Sequence, residues 1–176
     1  MEMLAESTAK ALIHAPIGHI NLTEWLFTLK SDEYRSCSKS HLAAGSSFTP
    51  DGKRMSLNVE KVADTLLIQH YVEDISEKQL CRVQSVSDSF SAMGNTTLGV
   101  VWEVSVKAVS DRSCELSNRV VILQTEQFAQ MLVAVNATDL ASVKMRMGRN
   151  VALHNAEETP LFAKDIEAKA LNGVWL

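Results

Sequence analysis

The stretch that decides the fold lies near the C-terminus, between Thr138 and Leu171: TDLASVKMRMGRNVALHNAEETPLFAKDIEAKAL. Its apolar residues recur every three or four positions, which is the spacing of side chains on one face of an α-helix. The members of this stripe are Leu140, Val143, Met147, Val151, His154, Glu158 and Leu161. We therefore predict one long helix, with Pro160 as the position where it kinks or restarts.

Two polar residues, His154 and Glu158, interrupt the apolar stripe one helical turn apart. Residues four positions apart on a helix project to the same side, so an imidazole and a carboxylate would lie together there. That pair suits a single divalent cation, and zinc favours nitrogen and carboxylate ligands. The alternative is a structural pair in which the two side chains bond only to each other.

The N-terminal part of the chain predicts one strand and two short helices. The apolar run Lys10–Ile17 reads as a strand that Pro16 and Gly18 close. Asn21 stands three residues before Glu24, which is a capping arrangement for the first helix. The polar stretch Ser31–Ser40 predicts a second short helix.

From His41 onward the sequence alternates with a period of two, which indicates β-strands. Thr49-Pro50-Asp51-Gly52 is a typical turn, because proline presets φ and glycine accepts the strained position. The predicted strands are His41–Phe48, Met55–Val59, Thr65–Glu73, Leu80–Ser87, Leu98–Val106 and Cys114–Leu123. Short turns imply antiparallel neighbours. The fold class is therefore α+β: a curved antiparallel sheet of about seven strands wrapped around the C-terminal helix.

The bulk composition limits the classes of function. The length of 176 residues suits a single domain, 1–176, with a core at about 10–171. The net charge of -4 and the lack of a basic run argue against nucleic-acid partners. Three cysteines without close spacing predict neither a disulfide framework nor a cysteine metal site. No secretory signal or membrane span is predicted, so we expect a cytoplasmic protein; the sequence leaves the oligomeric state open.

The order of these elements, from Lys10 to Leu171, resembles the helix-grip fold of the START-like (SRPBCC) superfamily. The resemblance implies a cavity between the sheet and the C-terminal helix, lined by the stripe from Leu140 to Leu161. It also implies a hydrophobic small molecule as ligand.

A narrower resemblance concerns the diacetylphloroglucinol hydrolase family, which shares the helix grip. That family holds zinc with a histidine, a glutamate and a His-x-x-x-Glu pair on the C-terminal helix. The positions of this sequence that match the order are His41, Glu73, His154 and Glu158, and Tyr34 lies upstream of His41 as in that family. The resemblance implies zinc as a cofactor and hydrolysis as the reaction.

The choice of the sheet ligand stays open at this point. Strict alternation places Leu66, Ile68, His70 and Val72 on the inner face and Glu73 on the outer face. Either a bulge rephases the strand and turns Glu73 inward, or His70 is the inward ligand. The same rule predicts that Glu60 points outward, since it alternates with Met55, Leu57 and Val59.

The predicted ligand pocket combines aromatic and flexible apolar side chains: Trp25, Tyr34, Trp102, Met147 and Val151. The first hypothesis is a binding protein for a hydrophobic, aromatic or polyketide-like molecule. The alternative is a zinc-dependent hydrolase that acts on a carbonyl or C–C bond of such a molecule. A third is a regulatory or assembly protein whose cavity is vestigial. No nucleophile elbow, P-loop or dinucleotide fingerprint is present.

Overall fold

The computed structural model describes residues 1–137 and 139–176, so Thr138, the first residue of the quoted stretch, lies outside the described residues. Within these described residues the structure contains seven strands and four α-helices. Their bounds are β1 Met3–Ile13, α1 Leu22–Thr28, α2 Ser31–Ser36, β2 His41–Phe48, β3 Arg54–Val62, β4 Thr65–Ser76, β5 Leu80–Ser91, β6 Gly94–Ser110, β7 Ser113–Gln124, α3 Glu126–Ala134 and α4 Leu140–Leu171. The predicted α+β helix-grip architecture is confirmed.

All seven strands form one antiparallel sheet in the order β1-β7-β6-β5-β4-β3-β2. The first strand pairs with the last one, so β1 and β2 are the two edges. The sheet curves around α4, which packs on β1, β7 and β3. The strand register shifts at His41 in β2 and between Glu73 and Ile75 in β4, and such bulges increase local twist.

Local sequence signals account for several of these elements. The Asn21 side chain accepts a hydrogen bond from the Glu24 amide and caps α1, as predicted. On β6 the alternating residues Leu98, Val100, Trp102, Val104 and Val106 are buried, which the period of two predicts. Helix α4 continues through Pro160 and does not restart there.

An aromatic cluster anchors α4 to the sheet. Phe162 is fully buried, and its ring centroid lies 5.0 Å from Trp25 and 5.8 Å from Trp102. The buried face of α4 continues through Ile166 and Ala170 at steps of four residues. The sequence prediction placed Leu161, three residues after Glu158, at the end of the stripe. Leu161 is only half-buried, because the buried face continues four residues after Glu158 and not three.

The inner face of β3 and β4 is polar, which reverses the predicted orientation of both strands. Ser56, Asn58, Glu60, Gln69 and Tyr71 are buried there. Apolar side chains on the opposite face pair across the strands and stay half-buried, as in the pair Val59 and Ile68. The alternation rule failed here because it assumes an apolar interior, whereas this part of the sheet faces a polar chamber.

Candidate functional site

Four side chains from three elements meet beneath α4. His41 begins β2, Glu60 lies on β3, and His154 and Glu158 lie one turn apart on α4. One ligand-type atom from each residue lies within 4.8 Å of those from the other three. We call these four residues the His–Glu cluster. Its members are buried, apart from a side-chain exposure of 12% for His154.

His41 presents a specific nitrogen to the cluster. Its Nδ1 lies 2.8 Å from the carbonyl oxygen of Tyr34, which can only accept, so Nδ1 carries the proton. Its Nε2 then faces the Glu158 carboxylate at 3.0 Å. A backbone carbonyl that fixes the tautomer in this way is typical of metal-ligating histidines.

Both carboxylates are oriented by amide side chains. Asn118 donates to Oε1 of Glu158 at 3.0 Å, and Gln69 donates to Oε1 of Glu60 at 2.9 Å. The Oε2 atoms of both glutamates therefore point at the two imidazoles. His154 Nε2 lies 3.1 Å from Glu60 Oε2 and 3.2 Å from Glu158 Oε2.

Tyr34 supports the cluster from the side. Its ring stacks on His41 with centroids 3.8 Å apart and an interplanar angle of 3°. Its hydroxyl donates to Glu60 Oε2 at 3.1 Å. Burial, with the charges of Glu60 and Glu158, raises the pKa of Tyr34 well above its ordinary value, so the hydroxyl keeps its proton.

The charges of the cluster stabilise one another. Burial alone would lower the pKa of His154, but hydrogen bonds and charges from Glu158 and Glu60 outweigh it and raise the pKa to about 10. Burial alone would raise the pKa of Glu158, but His154 and His41 bring it down to about 2. His154 is therefore an imidazolium and Glu158 a carboxylate at neutral pH.

The donor set fits a small divalent cation. A tetrahedral site with ligands about 2.0–2.1 Å from zinc has ligand–ligand separations of about 3.3 Å. The four imidazole–carboxylate separations range from 3.0 to 3.7 Å, and all six ligand–ligand separations lie within 4.8 Å. Among the described residues, the buried Nδ1 of His154 has no hydrogen-bond partner, so the polar contacts of this ring are made through Nε2. Two imidazoles and two carboxylates are ligands that zinc accepts.

The structure separates the predicted sheet ligands from the cluster. It brings together His41, His154 and Glu158, but Glu73 lies on the outer face, where Arg54 donates to both of its carboxylate oxygens. His70 also points outward and pairs with Asp88 at 3.1 Å, and both side chains are more than 40% exposed. The bulge in β4 begins after Glu73 and does not turn its side chain inward.

Glu60 is the residue that the sequence prediction missed. It lies directly opposite His41 across the β2–β3 pair, so both side chains reach the inner face. One signal could have found it: the turn after Phe48 fixes the hairpin register and places His41 opposite residue 60 or 61. The amides of Asn118 and Gln69, which hold the carboxylates, carry no comparable signal.

Two adjoining cavities lie between the sheet and α4. The inner one, of about 60 Å³, is lined by His154, Glu60 and Glu158 together with Tyr34, Tyr71 and Trp102. The outer one, of about 260 Å³, includes Met147, Phe128, Met131 and Arg146. Four apolar residues line both cavities, which therefore adjoin at these residues, and we call the four together the ring: Val62, Leu67, Ile122 and Val151.

The predicted pocket residues divide into two groups. Tyr34 and Trp102 line the inner cavity, Met147 lines the outer one, and Val151 lines both. Trp25 does not line either cavity. It is fully buried in the core, where its indole N–H donates to Asp165 at 2.8 Å.

Blocking the ring should close the path to the cluster. We expect Val151→Trp to weaken binding of a solvatochromic hydrophobic dye, because the indole would fill the space where the two cavities adjoin. Overpacking should also cost about 1–3 kcal/mol of stability. Fluorescence titration measures the first effect and urea unfolding the second. Leu153→Trp is the matched control, since Leu153 is 62% exposed on the same helix. Equal dye binding by both variants would contradict a ligand path through this ring.

Comparisons with known proteins place this geometry in a fold. No protein-family model matches the chain, and no curated protein matches its sequence. Among solved structures, the chain is similar to the Zhui aromatase/cyclase from Streptomyces sp. R1128, with a TM-score of 0.64 and 8% identity over 93% of this chain and 94% of that one. It is also similar to the di-domain ARO/CYC BexL from the BE-7585A biosynthetic pathway, with a TM-score of 0.55 and 13% identity over 92% of this chain and 49% of that one.

A protein from Thermus thermophilus is similar as well, with a TM-score of 0.54 and 13% identity over 95% of this chain and 97% of that one. Identities this low carry information about the fold and none about the reaction. Among the residues that the structure describes, no helix is both long and apolar enough to cross a membrane. The sheet order, the gripped helix α4 and these similarities together show that the chain has a helix-grip fold.

Proposed function

We propose that the protein is a zinc-dependent hydrolase that acts on a carbonyl or C–C bond of a hydrophobic, aromatic or polyketide-like molecule. The observation that carries the proposal is the His–Glu cluster, three of whose members line a cavity that adjoins a larger one. His41, Glu60, His154 and Glu158 would hold the metal. Bound zinc would act as a Lewis acid and lower the pKa of a coordinated water to about 7.

The residues around the cluster would prepare it for this role. Asn118 and Gln69 hold one oxygen of each glutamate, which leaves the other oxygen directed inward. The Tyr34 carbonyl holds His41 in the tautomer that offers Nε2. Such supporting contacts commonly change metal affinity by about 10–100-fold. The arrangement is therefore pre-organised before any cation arrives.

The cavities define the class of substrate. The outer cavity accommodates an apolar or aromatic body against Met147, Met131 and Phe128. The inner cavity accepts only a compact group, since its volume is about 60 Å³. A substrate with an aromatic body and one small reactive carbonyl group fits both spaces.

The first test is metal binding followed by hydrolysis. Chelator-treated protein dialysed against zinc is expected to retain one zinc per chain by elemental analysis and to melt at a higher temperature, because the cation binds only the folded state. The loaded protein is then expected to hydrolyse acylated phenols, carrying the acyl group on oxygen or on carbon, as chromatography measures. Retention of no zinc would overturn the proposal, as would zinc retention without turnover of any such compound.

A binding protein without catalysis is the second candidate. The observation that favours it is the mutual pairing of two imidazoles with two carboxylates, which satisfies these buried charges without any cation. In that case the cavities would still take a hydrophobic aromatic or polyketide-like molecule. Dye binding in the outer cavity together with zero zinc retention would support this candidate over the hydrolase.

A further inference from the structure

Two buried polar side chains on the sheet face the inner cavity and take no part in the His–Glu cluster. Asn58 on β3 and Tyr71 on β4 are 3% and 2% exposed, and both line this cavity. Within the described part of the chain, neither the Tyr71 hydroxyl nor the Asn58 amide nitrogen forms a hydrogen bond. Each donor therefore opens on the cavity, where a water or an atom of a bound molecule can accept from it.

Both groups are held as donors. The Ser56 hydroxyl donates to Oδ1 of Asn58 at 2.9 Å, which occupies the carbonyl end and leaves the N–H₂ end for the cavity. The Tyr71 ring packs against Trp102 with centroids 5.5 Å apart, so its hydroxyl has a fixed position. Burial and the charges of Glu60 and Glu158 raise the pKa of Tyr71 well above its ordinary value, which keeps the hydroxyl protonated.

The surroundings select the kind of acceptor. Glu60, Glu158 and His154 line the same cavity and already pair with one another, so a carboxylate or phosphate group would find no free cation there. A neutral oxygen acceptor needs no such partner. Tyr34 lines the cavity too, but its hydroxyl already donates to Glu60 and therefore has no proton left to donate to a ligand.

We infer that Asn58 and Tyr71 form the binding site for the carbonyl oxygen of an aryl ketone or related neutral acyl compound. The outer cavity would hold the aryl body of the same molecule. The role of this site in catalysis rests on the proposed function: the two donors would orient the reactive carbonyl beside the cluster. The binding step itself requires no metal and can be measured without one.

The experiment uses the chelator-treated protein and acetophenone labelled with ¹³C at the carbonyl carbon. In wild type we expect the infrared carbonyl stretch of the bound probe to lie at lower wavenumber than in hexane, because hydrogen bonds weaken the C=O bond. In Tyr71→Phe and in Asn58→Leu the stretch should move part of the way back, and in the double variant nearly all the way. Each single change should weaken binding about two- to tenfold.

A matched control and the outcomes keep the inference separate from the proposed function. Val120→Ala changes the wall of the same cavity without removing a donor, so the stretch should stay where wild type has it. An unchanged stretch in Tyr71→Phe, or no saturable binding of acetophenone to wild type, would overturn the inference. Either result leaves zinc retention untouched, whereas a protein that binds acetophenone in this way but retains no zinc refutes only the hydrolase.

Discussion

Glu60→Gln is expected to abolish stoichiometric zinc binding, and Glu73→Gln is expected to leave it intact. Glu60 directs Oε2 at both imidazoles, whereas Glu73 is bound by Arg54 on the outer face of the sheet. Loss of a direct ligand should exceed the effect of losing a supporting contact, so the dissociation constant should rise by more than about a hundredfold. Competition titration with a chromophoric chelator measures it.

The same titration extends to the other cluster members and to the second sheet candidate. His41→Ala, His154→Ala and Glu158→Gln should lose zinc as Glu60→Gln does. His70→Ala is the control for a histidine outside the cluster, since the His70 side chain pairs only with Asp88 among the described residues. Circular dichroism checks that each variant is folded. Zinc loss in Glu73→Gln with retention in Glu60→Gln would contradict the cluster, and full retention by all four cluster variants would end the hydrolase proposal.

The stability of the metal-free protein is expected to depend on pH through His154 and Glu158. The pKa of His154 rises from 6.5 to about 10 on folding, so its stabilisation is complete below pH 6.5 and is lost as pH rises through 10. The pKa of Glu158 falls from 4.5 to about 2, so its stabilisation is complete above pH 4.5 and is lost as pH falls through 2. The cluster therefore contributes most between about pH 4.5 and 6.5.

The alkaline loss can be measured against a variant. At 1.36 kcal/mol per pKa unit, the range from 6.5 to about 10 corresponds to at most roughly 5 kcal/mol. The loss of stability at acidic pH, through Glu158, comes from the same ion pairs. It is therefore not added to this figure. The free energy of unfolding is measured by urea unfolding at each pH, with a chelator present, for wild type and for His154→Gln. Subtracting the two values removes the contribution of titratable groups that both proteins contain. A difference that stays constant from pH 6.5 to 10 would contradict the buried imidazolium.

Several features of the protein follow from its sequence because they are local. The alternation of Leu98 to Val106 gives a buried strand face, and the Thr49–Gly52 turn fixes a hairpin. The three-to-four residue spacing on α4 places His154 and Glu158 side by side, and neighbours on one helix stay neighbours in any fold. These patterns were sufficient for the helix-grip architecture.

The partners of that pair were decided by tertiary structure. The alternation rule turned Glu60 outward and His70 inward, and the structure shows the reverse. The rule assigns apolar residues to the interior, because burial of apolar surface drives folding. On β3 and β4 the interior is a chamber that contains ionic and polar groups, which pair with one another there. Only the curvature of the sheet around α4 brings His41, Glu60 and the helix pair within bonding distance, and no local pattern encodes that distance.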